Sequence, residues 1–505
     1  MMNVDIYRYV YYTLSIITLL IANNIIDRKP HISRILRLIV SASSVSLLLI
    51  PGLGFDLVSS ILLLLSILGS LTITLHSEGY LKILFGKVSP LHLIIDLSLL
   101  LFIVFLTTRR LIEFIITWII VEIASTLLIM LERGYRNFNV VTKYLIVCVT
   151  AGDISLFILL AISITHLGFE KAMAIDLFEL TQISNQIDSL TTFLLVIGFT
   201  AKLALIPLHF WLIDTYVNTP SPGTAIFSGL LSKMSVYALI RIFQLLNIDY
   251  AVYSTLLLTQ GVLTTIYGFF STALHSDIKK VMSYSSMGYC GVFAILLSLL
   301  PVNRELFLKI LLAYILYHGL IKIHLFLNIS SIELLTNTRD IYRLGYLAQI
   351  SPRIYDYSII AFLTLIGIPP TIGFLAKYTF FTTIFTLLNN HPLKTVLLLI
   401  TMGLASVFTI IYSVKYLSIY TSMFKSKPMR TAIELLDVQY CSEYLSSILV
   451  IIITPLAIFL ILDYFAVLIN IIAYLIGIIV LVSTIWLKNR FIKKEKEIWL
   501  GGIEF

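Results

Sequence analysis

Apolar residues run along this chain in stretches of roughly 16 to 28, separated by short polar connections, and a helix of that length crosses a bilayer core of about 30 Å. The runs are continuous rather than alternating, so they predict helices and not barrel strands, the two structures that satisfy their own backbone in hydrocarbon. About fifteen spans are expected. They lie near 8–24, 35–50, 55–75, 91–107, 113–130, 143–163, 191–211, 224–246, 253–273, 285–300, 308–328, 358–385, 395–424, 446–464 and 466–487. The opening stretch, MMNVDIYRYVYYTLSIITLLIANN, has neither a basic leader region nor a small-residue cleavage site, and is expected to stay as the first span.

Composition agrees with the pattern. The 505 residues are 59% hydrophobic and only 12% charged, with a mean hydropathy of +0.99, too apolar for a soluble fold. A net charge of +8 would suggest nucleic acid in a soluble protein, but here membrane topology accounts for it. Lysine and arginine accumulate in the connections after odd-numbered spans, among them Arg28, Arg37, Lys82, Lys87, Arg133, Lys143, Lys279, Arg339 and Lys425, and in the tail from Lys488 to Lys496. The other side carries fewer, including Arg8, Arg109, Arg110, Lys171, Arg241, Arg304 and Lys394, and its longest connection, 164–190, is acidic. This bias predicts an integral protein of the cell membrane with its N-terminus outside and its C-terminus in the cytoplasm. Cys148, Cys290 and Cys441 show no C-x-x-C spacing, which argues against zinc, iron-sulfur or disulfide frameworks. No metal site and no cofactor is expected on this chain, and any redox group is expected on a partner. The connections are too short for a catalytic domain, so function is expected between the helices.

Charges inside the spans are then the informative residues, because each costs at least about 2.5 kcal/mol near the bilayer centre and needs a partner or a wet cavity. Glu122 lies deep in the fifth span, where burial favours its neutral form and a nearby lysine its charged form, so it can switch. A static ion pair between two helices is the alternative. Lys202 sits in the seventh span, FTAKLALIPLHFWLIDTYVNTPSPG, where Pro207 is expected to break the helix. Broken helices are how many transporters expose ion sites. His209 and Asp214 follow as candidates for a relay, although a histidine beside Trp211 is equally well an interfacial packing residue. Lys233 lies mid-span, with Gly229 and Ser232 permitting close helix approach. In the eleventh span Tyr314, His318 and Lys322 follow at i, i+4 spacing on one face, a plausible proton wire, whereas His324 falls off that face and is expected to pack. Pro369 and Pro370 interrupt the twelfth span ahead of Lys377, repeating the arrangement around Lys202. Lys309 and Lys415, nearer span ends, are expected to snorkel.

These segments resemble the antiporter-like, proton-translocating subunits shared by respiratory complex I (NADH-quinone oxidoreductase chains 2, 4 and 5), Mrp cation/proton antiporters and membrane-bound hydrogenases. The resemblance runs from about Phe55 to Phe424 and is strongest in AKLALIPLHFWLIDTYVNTPSPGTAIFSGLLSKMSVYALIR, residues 201–241. KYLIVCVTAGD (143–153), DIKKVMSYSSMGYCG (277–291), HGLIKIHLFL (318–327) and LIGIPPTIGFLAK (365–377) extend it in order. It implies an all-α polytopic fold with a fourteen-helix core and two inverted five-helix repeats containing broken helices. The expected division is 1–90 for the first three helices, 91–246 and 247–424 for the two half-channel repeats, and 425–505 for the last helices and basic tail. It also implies roles: Glu122 with Lys202 as the charge-switching pair, Lys233 as connector, His318 and Lys322 as central relay, and Lys377 at the exit. Asp153, with Glu122, is available to assist a cation. This sequence departs from the family in placing Trp118 four residues before Glu122 rather than next to it, and in carrying Tyr314 where some members have histidine. Lys377 stands where chain 4 subunits carry glutamate, which favours a chain 5, chain 2, Mrp or hydrogenase type.

The expected function is therefore proton movement along a buried Glu/Lys/His chain within a multisubunit respiratory or hydrogenase-type complex. Other membrane subunits, including homologous ones, would be its partners. The alternative is a subunit of an Mrp-type Na+(K+)/H+ antiporter without redox activity. A third reading, a lipid-linked transferase, would gather its acids and histidines at one membrane face, and here they lie mid-span.

Overall fold

The computed structural model describes residues 2–49, 55–86, 88–131, 135–183, 185–369, 371–422 and 437–461. The chain is an all-α polytopic membrane protein. Its helices are α1 (Met2–Ile25), α2 (Pro30–Leu49), α3 (Leu57–Phe85), α4 (Leu91–Leu106), α5 (Leu111–Ile129), α6 (Asn137–Leu167), α7 (Ser189–Lys202), α8 (Phe210–Asn218) and α9 (Ser221–Leu245). They continue as α10 (Tyr250–Leu274), α11 (Ile278–Ser298), α12 (Arg304–Thr336), α13 (Pro352–Ile366), α14 (Ile372–Thr386), α15 (Pro392–Thr421) and α16 (Asp437–Ile461). Taking α7 with α8 and α13 with α14 as single interrupted spans, these helices fall in order on the first fourteen predicted spans. Nine helices among the described residues are at least 18 residues long and apolar enough to cross a membrane. The predicted fifteenth span, the basic tail, Pro370, Lys87, Arg133 and Lys425 lie outside the described residues.

Burial sorts the helices. The apolar stretches of α9 and α12 are completely covered by the rest of the chain and that of α11 almost so, whereas only a third of α2 and of α6 is covered. Inner helices must approach closely, and glycine lets them. A Cβ on Gly268 of α10 would lie 2.5 Å from the backbone nitrogen of Gly288 on α11. Likewise Gly229 of α9 and Gly319 of α12 face each other, each carbonyl about where the other's Cβ would crowd it at 3.1 and 3.3 Å. The latter contact sits one turn from Lys233 and directly beside His318, as the small residues beside Lys233 predicted.

The interruptions fall in the fourth span of two successive sets of five, α4 to α9 and α10 to α15. Five is odd, so the second set enters the membrane from the side opposite the first.

Several arginines that the loop pattern assigned to connections are inside instead. Arg37 of α2 is 1% exposed and donates to Asp96 of α4 at 2.6 Å, and His92 Nδ1 meets the same carboxylate oxygen at 2.9 Å. Arg8 reaches Asp5, Glu113 and the Thr107 carbonyl. Arg241 holds Asp56, the N-cap of α3, through two 2.7 Å bonds. An arginine fork can satisfy a carboxylate with both oxygens, so these residues pin helices together where a lone charge would be expelled.

Candidate functional site

Helix α7 stops at Lys202. Ala204 takes a positive φ of 55°, and the Ile206–Pro207 peptide is cis. The chain then turns through Leu203–His209 and resumes as α8. A helix end in hydrocarbon leaves amides and carbonyls that need partners. Here the protein supplies them: Trp211 donates its indole N–H to the Ala201 carbonyl at 2.9 Å, and the Ile206 N–H donates to Thr264 Oγ1 of α10 at 2.9 Å. Pro207 therefore marks a real break.

Lys202, at the end of α7, points into the chain and is 4% exposed. Its ammonium donates to Glu122 Oε1 at 2.8 Å and to the Tyr144 hydroxyl at 3.3 Å. It also lies 5.4 Å from the ring centre of Trp118 and 5.6 Å from that of Tyr144, distances suited to cation–π attraction. Trp118 and Glu122 stand one helical turn apart on α5, so the displaced tryptophan still faces the same lysine. Gly152 of α6 packs against Glu122 and Trp118, and the partly buried Asp153 follows it in sequence. Tyr144 opens a π-helical turn, Tyr144–Val149, within α6.

A second group lies between α9, α11 and α12. Lys233 is fully buried, donates to the Ser228 carbonyl at 2.5 Å and to Ser232 Oγ at 3.2 Å, and meets His318 Nδ1 at 3.0 Å. Ser228 belongs to a π-helical turn, Phe227–Leu231, which brings its carbonyl within reach of the lysine. Rings of Tyr289 and Phe293 flank His318, and its Nε2 has no hydrogen-bond partner among the described residues. One turn further along α12, Lys322 donates to Ser285 of α11 and to the Met282 carbonyl at 3.1 Å. Unlike Lys202, neither Lys233 nor Lys322 faces a carboxylate within ion-pairing distance among the described residues.

The third group is at the second interruption. Lys377 of α14 donates to the carbonyls of Leu365 and Ile366 at 2.8 and 3.0 Å, capping the C-terminus of α13. Cations are favoured there by the helix dipole. Gly367, at φ +86°, turns the chain and leaves room for the Lys377 stem, which passes 3.1 Å from where a Cβ would sit.

Glu122 with Lys202, Lys233 with His318, and Lys322 are thus collected inside the bundle by helices far apart in sequence. Other candidates are placed elsewhere. Asp214 is 42% exposed and pairs with the likewise exposed Lys143 at 2.5 Å. His209 lies beside Tyr267 at the break, with its Nδ1 3.3 Å from the Pro207 carbonyl. Neither reaches the lysine row. Tyr314 is buried one turn before His318, but its hydroxyl bonds to nothing among the described residues and its ring packs on Tyr317. Lys415 caps α10 through the Ala273 and His275 carbonyls instead of reaching for the membrane surface, while Lys309 pairs with Glu305 near the end of α12. Sequence reasoning missed Ser228 and Ser285 and gave Ser232 only a packing role, since serine in an apolar helix gives no signal of its partner until its neighbour is known. It also passed over Glu443 of α16, which is 1% exposed.

Fold and interior together define a polytopic helical membrane protein with a buried series of lysines, the first paired with an acid, spread across two sets of spans that each contain a broken helix. The chain belongs to the NADH:quinone oxidoreductase/Mrp antiporter transmembrane family, whose family model matches residues 108–409. It is similar to an Na(+)/H(+) antiporter subunit of Alkalihalophilus pseudofirmus, with 29% identity over 57% of this chain and 57% of that one. It is also similar to an NAD(P)H-quinone oxidoreductase chain 4 of Picosynechococcus, with 28% identity over 64% of this chain and 58% of the relative. The match spans little more than half the length of these relatives. Chain 4 and antiporter types stand side by side in these comparisons, so Lys377 alone does not separate them. The fold matches a chain in the Mrp complex of Dietzia with a TM-score of 0.72 and 17% identity, covering 94% of this chain and 97% of the other. A chain of an archaeal membrane-bound sulfane sulfur reductase matches with a TM-score of 0.71 and 18% identity, covering 89% and 94%.

Proposed function

We propose that this chain is a proton-translocating, antiporter-like subunit of a multisubunit membrane complex, passing charge along Glu122, Lys202, Lys233, His318, Lys322 and Lys377. The buried Lys202–Glu122 contact carries this reading. A proton arriving at Glu122 neutralises the acid and releases Lys202 from its pair. Charge on Lys202 then acts on the next lysine. Unit charges a few ångströms apart at an effective dielectric of about 20 interact by a few kcal/mol, enough to favour one protonation pattern over another. His318, between Lys233 and Lys322, would hand a proton from one to the other, and Lys377 would discharge it at the second helix break. The two repeats, 91–246 and 247–424, would each provide one half of the path. Asp153 is placed to share the first acid's proton. The comparisons support membrane subunits as partners; some of these would be homologous to this chain, and any redox group would lie on them. The loop bias supports a cell-membrane location with the N-terminus outside.

The similarity to an Na(+)/H(+) antiporter component favours a second reading, a subunit of an Mrp-type Na+(K+)/H+ antiporter without redox activity. Gentle detergent purification from native membranes with mass spectrometry of the co-purifying subunits separates the two. Iron-sulfur, quinone-module or hydrogenase subunits point to a redox-driven pump, and small membrane subunits alone to the antiporter. In either complex, Lys202→Ala and Glu122→Ala should abolish ion transport while the complex still assembles; full flux in both sinks the mechanism.

A further inference from the structure

Beyond the lysine row, a second polar seam runs where α16 packs on α12. Glu443 is 1% exposed and makes no ion pair within the described residues. Its Oε2 accepts from Asn328 Nδ2 at 3.1 Å, and its Oε1 contacts the Ser331 hydroxyl. The amide of Asn328 is held in that orientation from the other side, because Tyr416 and Tyr420 of α15 both donate to its Oδ1 at 2.8 Å. The carboxyl is therefore built into place, yet everything that holds it is neutral.

Two observations connect it to the row. The helices α12 and α16 run antiparallel, so one turn along α16 from Glu443 lies Ser446, whose hydroxyl donates to the Glu443 backbone carbonyl at 2.9 Å and meets His324 Nδ1 at 2.7 Å. His324 lies at the depth of Lys322 but on the other side of α12, and its Nε2 has no hydrogen-bond partner among the described residues. In the other direction Asn328 and Ser331 lie six and nine residues past Lys322, about 9 and 14 Å at about 1.5 Å per residue. Glu443 thus stands between the lysine row and the end of α12 proposed as cytoplasmic. Next to it on that side is Gln439, buried with both its amide atoms unbonded among the described residues.

The remaining charged and titratable groups around α16 are otherwise occupied. His76 of α3 bridges Ser442 and Ser330, and Glu78 pairs with Arg34. Arg353 of α13 lies over the Tyr440 ring, Tyr357 packs on Tyr444, and Lys377 of α14 caps α13.

We propose that the Glu443 carboxyl is a further proton-exchange site of this chain, loading the lysine row from the cytoplasmic side through Ser446 and His324. One proton binds a carboxylate oxygen of Glu443, and one leaves it for the row by way of His324, whose second nitrogen takes up the next. This rests on the translocation reading above, and two readouts keep them apart. The first is proton transport by the intact complex in vesicles. The second is the infrared band of a protonated carboxylic acid, followed with pH in the same complex.

Glu443→Gln preserves shape and hydrogen bonding, so it is expected to assemble, to lose transport by about tenfold or more, and to lack one pH-dependent acid band. Glu443→Asp should recover part of both. Wild-type transport by Glu443→Gln, or an unchanged set of acid bands, overturns the proposal while leaving the Lys202 mechanism standing. If the wild-type complex moves no protons at all, the translocation reading fails and the band alone decides Glu443.

Discussion

Lys202 and Glu122 are each buried at the cost of the other's presence, and that coupling can be measured. Removing one member of a buried pair leaves an uncompensated charge, a loss of about 3–5 kcal/mol, whereas replacing both with neutral groups of similar size is often tolerated. Lys202→Met is therefore expected to lower the melting temperature markedly, and adding Glu122→Gln to restore much of it. Transport should be absent in both, because stability and proton transfer depend on different properties of the same contact. His209→Ala and Asp214→Asn are expected to leave transport at wild-type levels, since the one lies at the break beside Tyr267 and the other pairs with Lys143 near the surface. Flux through vesicles containing each variant checks this directly. At this scale the sequence was informative about which charges lie within spans, and silent about their partners. Lys202 finds Glu122 across 80 positions and Lys233 finds His318 across 85. Nothing local encodes such distances.

The helices themselves were legible because lipid imposes length and apolarity on every span, and Pro207 and Pro369 announced the interruptions. What could not be read was how a helix end is repaired. Trp211, in sequence merely a neighbour of His209, proves to cap α7, and Lys377 reaches back to cap α13. Lys377→Met should thus cost stability, by an amount comparable to a lost charged hydrogen bond, about 1.5–3 kcal/mol. Lys377→Arg should keep the cap and regain most of that stability in thermal unfolding. The close approach of α9 and α12 is equally testable. A side chain at Gly229 would meet Ile323 at 2.3 Å and the Gly319 carbonyl at 3.3 Å. Gly229→Val is expected to push these helices apart at a cost of about 1–3 kcal/mol. It should also slow transport by separating Lys233 from His318, without altering either group.

Across the whole molecule, arginine pairs tie the first three helices to α4, α5 and α9, all in the first set of five spans. Asp56, in the connection before α3, is held by Arg241 of α9. Burial disfavours its carboxylate, but the guanidinium outweighs that and keeps the carboxyl below its ordinary range. A lowered folded-state value means that this contribution is complete above the ordinary carboxylate value of about 3.9. It disappears as pH falls through the folded-state value. Wild type should melt above Asp56→Asn near neutral pH, and the gap should close only in strong acid. The arrangement of burial has a further consequence for how the protein is made. Hydropathy of the spanning helices is 2.2 for α3 and 2.5 for α6, but only 1.4 for α9 and α11, which are among the most enclosed. Lipid thus rewards α9 less than α3 or α6, while its lysine must still leave water. The ribosome supplies α9 well before α12, the helix that receives Lys233. Biogenesis therefore has to shelter a charged segment at the insertion machinery until its partner is synthesised, and α9 enters the bilayer as part of a group rather than alone.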